Sequence, residues 1–337
     1  MKCGLKQSNS DPGLFLNDEK SIYLIVYVDD GIIASVDEQA VKQFLEKLES
    51  EFSVVIAVAN YFLGMQIEFL EDGDIFVHQE GYCRKILKHF EISKFNSVST
   101  PVEKGTITTD HSEFLPATVP YREDIGSLMF LAIVSRPDIS YAAGVLSQVL
   151  DKPQQVHWSM IKRIMHYLKG TEKCGILFQC NEDNTLQCFT DSDSPLSRRS
   201  TSGMIFMSYG GAVSWRSQRQ SCIALSTTKA EFIAASQAAK EAIWLGNLLS
   251  ELRCVSTIPV LQMDNQSSIR LVKNPEFHSR AKHIDIRYKF IREQYQTKQL
   301  DVVYCSSEMQ AADIFTKPLV KDRFLKLRKL IGMHNFG

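Results

Sequence analysis

The chain has no apolar run of the roughly 20 residues that a membrane-crossing helix takes. Its most hydrophobic early stretch, IYLIVYVDDGIIAS over residues 22–35, is broken by Asp29 and Asp30. Nor does it open on a secretory leader: Met1 is followed by Lys2, Cys3, Gly4 and polar residues. A strong charge of either sign is missing too, since 38 Lys and Arg against 39 Asp and Glu leave a net charge of -1 and a pI of about 6.7. Nucleic-acid binding driven by bulk charge is thereby excluded, and any such contact must come from local patches or metal ions. The eight cysteines include no Cys-x-x-Cys pair, and a chain of 337 residues needs no staples. Free thiols in a reducing, intracellular setting are expected rather than a disulfide scaffold.

What is present is an alternation of textures. Residues 21–35 read as strand, two-residue turn and strand about the acidic centre Asp29-Asp30, with Asp30-Gly31 also suited to a tight turn. Residues 37–52 place Val41, Phe44, Leu45 and Leu48 at helical spacing. YFLGMQIEFL, EDGD and IFVHQ predict a second hairpin, and GYCRKILKHF a short basic helix, giving a small α+β unit. The segment Val102 to Tyr121, rich in Thr, Pro and charge, reads as a linker. Helices follow over DIGSLMFLAIV, stopped before Pro137, over ISYAAGVLSQVL, and over PQQVHWSMIKRIMHYLKG, opened by Pro153 and closed by Gly170. Short strands are then predicted over CGILFQ, TLQCFTD, SGMIFMSYGGAVSWRS, with its turn at Gly210-Gly211, and SCIALS. The long helix TTKAEFIAASQAAKEAIWLGNLLSEL, strand IPVLQMD, helices NQSSIRLVKNP and HIDIRYKFIREQYQTKQ, strand LDVVYCSS and helix EMQAADIFTKPL complete the series. That order predicts a mixed sheet covered by helices.

Four acids stand out in the second half: Asp191 at a strand exit, Glu231 in the first turns of the long helix, Asp264 at another strand exit, and Asp313 on the last helix. Like charges at close range raise each other's pKa, so gathering them costs stability. Such a cluster serves to hold two Mg²⁺ ions about 3.5–4 Å apart, one activating water and one stabilising the leaving 3′ oxygen of a phosphodiester. Each acid also has a plain structural use. Asp264 beside Asn265 could cap a helix, Thr228-x-x-Glu231 fits a capping box, Asp191 before Ser192 and Asp193 could be a loop carboxylate, and Asp313 a surface acid. Only the ordered set carries information.

The segments GLKQS, SDPGLF, YVDD, YFLGMQIE, STPV, GSLMFLA, RPDISYAAGVLSQ, HWSMIKRIMHYLKGT, RSTSG, SWRSQRQSCIALSTTKAEFIAA, KHIDIRYKFIRE and QAADIFTKPL run nearly end to end. In that order they resemble the Pol polyprotein of copia-type LTR retrotransposons, from the end of reverse transcriptase through ribonuclease H. The resemblance implies an α+β chain: a truncated palm over 1–106, a linker and helical thumb or connection over 107–180, a ribonuclease H-like domain with a mixed five-stranded sheet and flanking helices over 181–320, and a basic tail over 321–337. It places Asp29 and Asp30, beside Tyr27 and Val28, where the polymerase binds metal at the primer end. The family's other palm aspartate and its fingers would lie upstream of Met1, and a family helix is missing at Ser8-Asn9, so polymerisation by this chain alone is not expected.

The same resemblance makes Asp191, Glu231, Asp264 and Asp313 ligands of two Mg²⁺, or Mn²⁺, ions that serve cleavage of the RNA strand of an RNA–DNA hybrid, with Asp193 a second acid of the first motif. Implied partners are the hybrid and other Pol or reverse-transcriptase chains, with no membrane, in the cytoplasm (a virus-like particle) or nucleus. Arg198, Arg199, Ser202, Arg216, Arg219, Gln220, Asn265 and Gln266 are polar donors near the expected site, suited to phosphates or 2′-hydroxyls. The chain also departs from the pattern. The run from Asp193 to Ser200 is a few residues short, which threatens the register of the first two strands and the placement of Asp191. Lys289 replaces a common His, and His283, far from Asp313, reads as a packing residue. The alternative reading is a catalytically inactive relic, or a nucleic-acid- or protein-binding scaffold.

Overall fold

The computed structural model describes residues 4–90, 96–105, 112–193, 199–224, 226–252, 258–274 and 286–336, the side chains of 286–289 excepted. Three sheets organise them. The first is the antiparallel meander β1 (Lys6–Gln7), β2 (Leu14–Leu16), β3 (Ile22–Tyr27) and β4 (Asp30–Ser35), joined to α1 (Glu38–Glu51). Asp37 caps α1 by accepting from the Gln39 and Ala40 amides. The core here is small, with Leu5, Ile22 and Phe44 buried. Tyr27 pairs with Asp30, so the turn residues are Val28 and Asp29, one residue before the expected Asp29-Asp30 and two before Asp30-Gly31. Val28 accordingly takes the left-handed φ of 55°, which β-branched residues rarely adopt. The register set by the two apolar strands overrides the local Asp-Gly preference.

The second sheet draws on distant segments. Its strands β5 (Tyr61–Phe62), β6 (Met65–Phe69) and β7 (Ile75–His78) are followed by α2 (Glu80–His89), α3 (Tyr121–Val134), α4 (Ser140–Leu146) and α5 (Gln155–Lys169). Strand β8 (Cys174–Phe178) then lies against β7. Five further strands intervene before the last, β14 (Met333–Asn335), closes the sheet on the other side of β8. CGILFQ therefore belongs to this sheet and not to the next. Divisions at 106 and 320 would each cut through it. Beneath it Arg136, 1% exposed, meets Asp138 through Nε and Nη2, both at 2.9 Å, and Thr171 through its carbonyl and hydroxyl. The Tyr167 hydroxyl donates to the same Asp138 at 2.5 Å. The RPDI segment is thus an internal ion pair with its hydrogen bonds met.

The third sheet runs β11-β10-β9-β12-β13, with β9 (Gln187–Asp193), β10 (Thr201–Ser208) and β11 (Gly211–Arg219) antiparallel, and β12 (Val260–Met263) and β13 (Asp301–Tyr304) parallel to β9. This is the mixed five-stranded sheet expected. Alternation along β9 sends Cys188 and Phe189 to opposite faces, and both are buried. On one face lie α6 (Thr227–Glu251), whose Phe232, Ala235, Ala238, Ala239 and Ala242 permit close approach, α7 (Gln266–Lys273) and α8 (Ile286–Gln296). On the other face Phe189, Ile205 and Met207 share one core with α3, α5, Phe315 and α9 (Lys321–Leu330). The β10–β11 turn falls on Tyr209-Gly210, both at positive φ, one residue before the expected pair.

Two further expectations change. Residues 221–224 form no strand, and Ser226 caps α6 instead. EMQAADIFTKPL forms only a 3₁₀ turn over Ala311–Phe315. The N-terminal meander docks on the end of α6, where Glu251 accepts from the Ser8 hydroxyl and the amides of Asn9 and Ser10, and Lys20 reaches the Glu251 carbonyl. The Ser8-Asn9 junction is thereby the anchored bend between β1 and β2. No described helix is long and apolar enough to cross a membrane. The six described cysteines are unpaired.

Candidate active site

Asp191 faces Gly203 across the β9–β10 pair. The register is unbroken from Asp193–Thr201 to Gln187–Met207, so the short run after Asp193 does not displace Asp191. A Cβ on Gly203 would lie 2.6 Å from Thr316 Cγ2, 2.8 Å from the Ala312 oxygen and 2.9 Å from Phe315 Cβ. Only glycine lets the 3₁₀ turn rest on the sheet this closely. The approach delivers the Thr316 hydroxyl to Asp191 Oδ2 at 2.5 Å.

Glu231 is carried by the start of α6. The N-cap is Ser226, whose hydroxyl accepts from the Lys229 amide at 3.2 Å, so Thr228 and Glu231 form no capping box. Glu231 instead points at the sheet and is 6% exposed. Gln220 holds this arrangement, its Nε2 donating to Ser192, to Ser202 and to the Ala230 carbonyl. Asp264 follows β12 and is spared from capping, because Asn265 caps α7 by accepting from the Ser268 amide at 3.0 Å. Asp264 accepts from Ser307 at 3.1 Å and is partly exposed.

Oxygens of Asp191, Glu231 and Asp264 lie within 4.8 Å of one another, the one such group of metal-ligating side chains among the described residues. Burial, then the charges of Asp191 and Asp264, push the Glu231 carboxyl up to about 10. Its Oε2 is buried with no hydrogen-bond partner. Hard oxygen donors, a buried acceptor left unmatched and mutual repulsion together fit a divalent cation. Cys305, beside β13 and buried, has its thiol pushed up to about 12 by burial and by Asp264, Asp191 and Asp313, so it offers no thiolate there.

Asp313, expected as a fourth member, stands apart from that group. Its Oδ1 lies 2.7 Å from Lys317 and its Oδ2 3.1 Å from Arg323. Arg323 is itself pinned by the carbonyls of Ser307 and Glu308. Burial and the charge of Asp191 raise the Asp313 pKa, while the two cations lower it. Lys317 also lies 3.6 Å from Asp191 Oδ2. Thr316, Lys317, Arg323 and Ser307 were not singled out by the sequence. The four-residue spacing of Asp313 and Lys317 is the one local signal that points to a pair.

Other expected residues take different roles. Asp29 and Asp30 are exposed at the β3–β4 tip and join no third acid among the described residues. Ser202 and Gln220, at 4% and 1% exposed, are internal struts rather than nucleic-acid contacts, and Asn265 is a helix cap. Arg199, Arg216 and Gln266 are exposed, Arg219 donates to Gln148 at 3.0 Å, and Asp193 ends β9 partly exposed. Arg198, His283 and the Lys289 side chain lie outside the described residues.

A family model described as reverse transcriptase (RNA-dependent DNA polymerase) matches residues 1–104. The chain is 36% identical over 341 residues to the retrovirus-related Pol polyprotein from transposon TNT 1-94 of Nicotiana tabacum, an alignment covering 97% of this chain and 26% of that protein. It is 30% identical over 253 residues to a Saccharomyces cerevisiae protein assigned to transposon Ty5-1, covering 71% of this chain and 80% of that one. Among solved structures, LC11-RNase H1, isolated from compost by a metagenomic approach, is similar with a TM-score of 0.33 and 16% identity over 40% of this chain and 93% of its own. The chain spans about a quarter of the tobacco polyprotein's length. It belongs to the Pol polyprotein family of copia-type LTR retrotransposons, with that family's reverse-transcriptase sequence in residues 1–104.

Proposed function

We propose that the chain bears a divalent-metal-dependent ribonuclease H site that cuts the RNA strand of RNA–DNA hybrids, and that its reverse-transcriptase part does not polymerise DNA alone. One observation supports the nuclease reading above the others: three carboxylates from β9, α6 and the end of β12 converge within 4.8 Å around the partnerless Glu231 Oε2. Asp191, Glu231 and Asp264 would hold Mg²⁺ or Mn²⁺, which when bound lowers the pKa of a water and stabilises the leaving 3′ oxygen. The partly exposed Asp264 leaves the cluster open to solvent on its side, where a backbone phosphate would approach. Thr316 fixes the Asp191 carboxylate, and Gln220 fixes the start of α6, so the oxygens are set before substrate arrives. Glu231 keeps its proton until a cation takes its place. For the polymerase part, the exposed Asp29–Asp30 pair without a third acid fits no complete two-metal site.

The purified chain is expected to cut a labelled RNA–DNA hybrid with Mg²⁺ or Mn²⁺, and Asp264→Asn to abolish cutting while leaving the circular dichroism spectrum unchanged. Hybrid binding without cleavage under either metal would leave only the scaffold reading.

A further inference from the structure

We propose that Lys317 takes the place of a second metal ion, so that the site binds one divalent ion rather than two. This rests on the metal-dependent reading above. Its argument is the allocation of oxygens. The oxygens that Asp191 and Asp313 turn towards Lys317 already face cationic or hydroxyl groups, which leaves little room for a second ion there. Lys317 Nζ sits between them, 2.7 Å from Asp313 Oδ1 and 3.6 Å from Asp191 Oδ2. Asp313 Oδ2 is taken by Arg323, and Asp191 Oδ2 also accepts from Thr316. On the other side of Asp191 the situation is reversed, for Glu231 Oε2 has no partner and no basic side chain forms an ion pair with Glu231 or Asp264 among the described residues.

Charge gives the same answer. Lys317 and Arg323 offset the carboxylates on the Asp313 side of Asp191, whereas on the Glu231 and Asp264 side no basic side chain pairs with them among the described residues and a divalent ion is left to do so. The partly exposed Asp193 stands at the rim near Lys317 and adds to the hold on its ammonium group. Lys317 is held at two carboxylates, Asp191 and Asp313, that are 4% and 9% exposed, so at their end the attraction acts away from water although the lysine itself is 37% exposed. An ammonium donor here supplies fixed positive charge beside Asp191 without the exchange that a loosely held ion undergoes.

The test counts ions directly. Mn²⁺ is titrated into the full chain and the unbound ion is read by electron paramagnetic resonance, alone and with a hybrid whose RNA strand carries cleavage-resistant 2′-O-methyl riboses. One ion per wild-type chain in both arms, rising to two in Lys317→Gln, is the expected result. Two ions on the wild-type chain in either arm overturn the proposal and leave the nuclease reading standing, as does a Lys317→Gln variant that still binds one. No ion on the wild-type chain overturns both. The wild-type count is decisive even where the variant does not fold.

Discussion

Glu231→Gln removes an ionisable group without removing volume, and its effect on stability can be worked out in advance. The Glu231 carboxyl, about 4.5 when exposed, is pushed up to about 10 in the folded, metal-free chain, first by burial and then by Asp191 and Asp264. Between those values the folded chain keeps a proton that the unfolded chain releases. Stability is therefore fully present below about 4.5 and falls as pH rises towards about 10, by about 1.4 kcal/mol for each pH unit. From about pH 5.5 to 7.5 the loss is about 2.7 kcal/mol, which is large against a typical total of about 5–15 kcal/mol. Asp313, and Asp124, whose carboxyl burial pushes up to about 6, add slopes of the same sign, but both proteins share them. Urea denaturation in excess chelator at a series of pH values isolates the Glu231 part. Glu231→Gln should gain on the wild type by about 2.7 kcal/mol across that interval, and Mn²⁺ should stabilise the wild type increasingly with pH while doing little for the variant. Parallel pH profiles for the two chains would refute the reasoning, because they would mean that Glu231 is not held protonated by its neighbours.

Other expectations follow from separate parts of the fold. Gly203→Ala forces a Cβ against the Ala312 carbonyl at 2.8 Å, a backbone atom that cannot swing aside, and should cost about 1–3 kcal/mol in urea denaturation. The same variant lifts Thr316 from Asp191 and should weaken Mn²⁺ binding. Arg136→Met leaves Asp138 buried without its cation, and a loss of about 3–5 kcal/mol is expected by the same assay. Glu251→Ala frees the Ser8–Ser10 bend, so limited trypsin digestion should cut within residues 4–52 several times faster while β9 to β13 stay protected.

Where signals were local, the sequence was informative. The strand and helix order of the third sheet follows from hydrophobic period, and Asp191, Glu231 and Asp264 stand in view as an ordered set, each alone being an ordinary acid for a strand end or a first helical turn. The pairing of β8 with β14 was hidden, since hydrogen bonds between residues 174–176 and 333–335 leave no mark on nearby sequence. Asp313 stands outside the 4.8 Å group for a related reason: it meets Lys317 and also Arg323, which reaches back from α9, and no rule of spacing foretells the Arg323 contact. The capping alternatives failed through competition among neighbours: Ser226 and Asn265 took the cap positions and left Glu231 and Asp264 free to converge. Ser202 and Gln220 show the converse, polar residues near a site that serve the frame rather than the substrate.

The sheet shared by β7, β8 and β14 sets an order of assembly. Strand β8 emerges from the ribosome long before β14, and in that interval one of its edges has no neighbour. A long-range closure of this kind is slow compared with hairpin formation, and an open edge is a template for mispairing with another nascent chain. A proteolytic cut anywhere between β8 and β14 would have to leave the two pieces clasped, because strands on either side of the cut would still be neighbours in one hydrogen-bonded sheet.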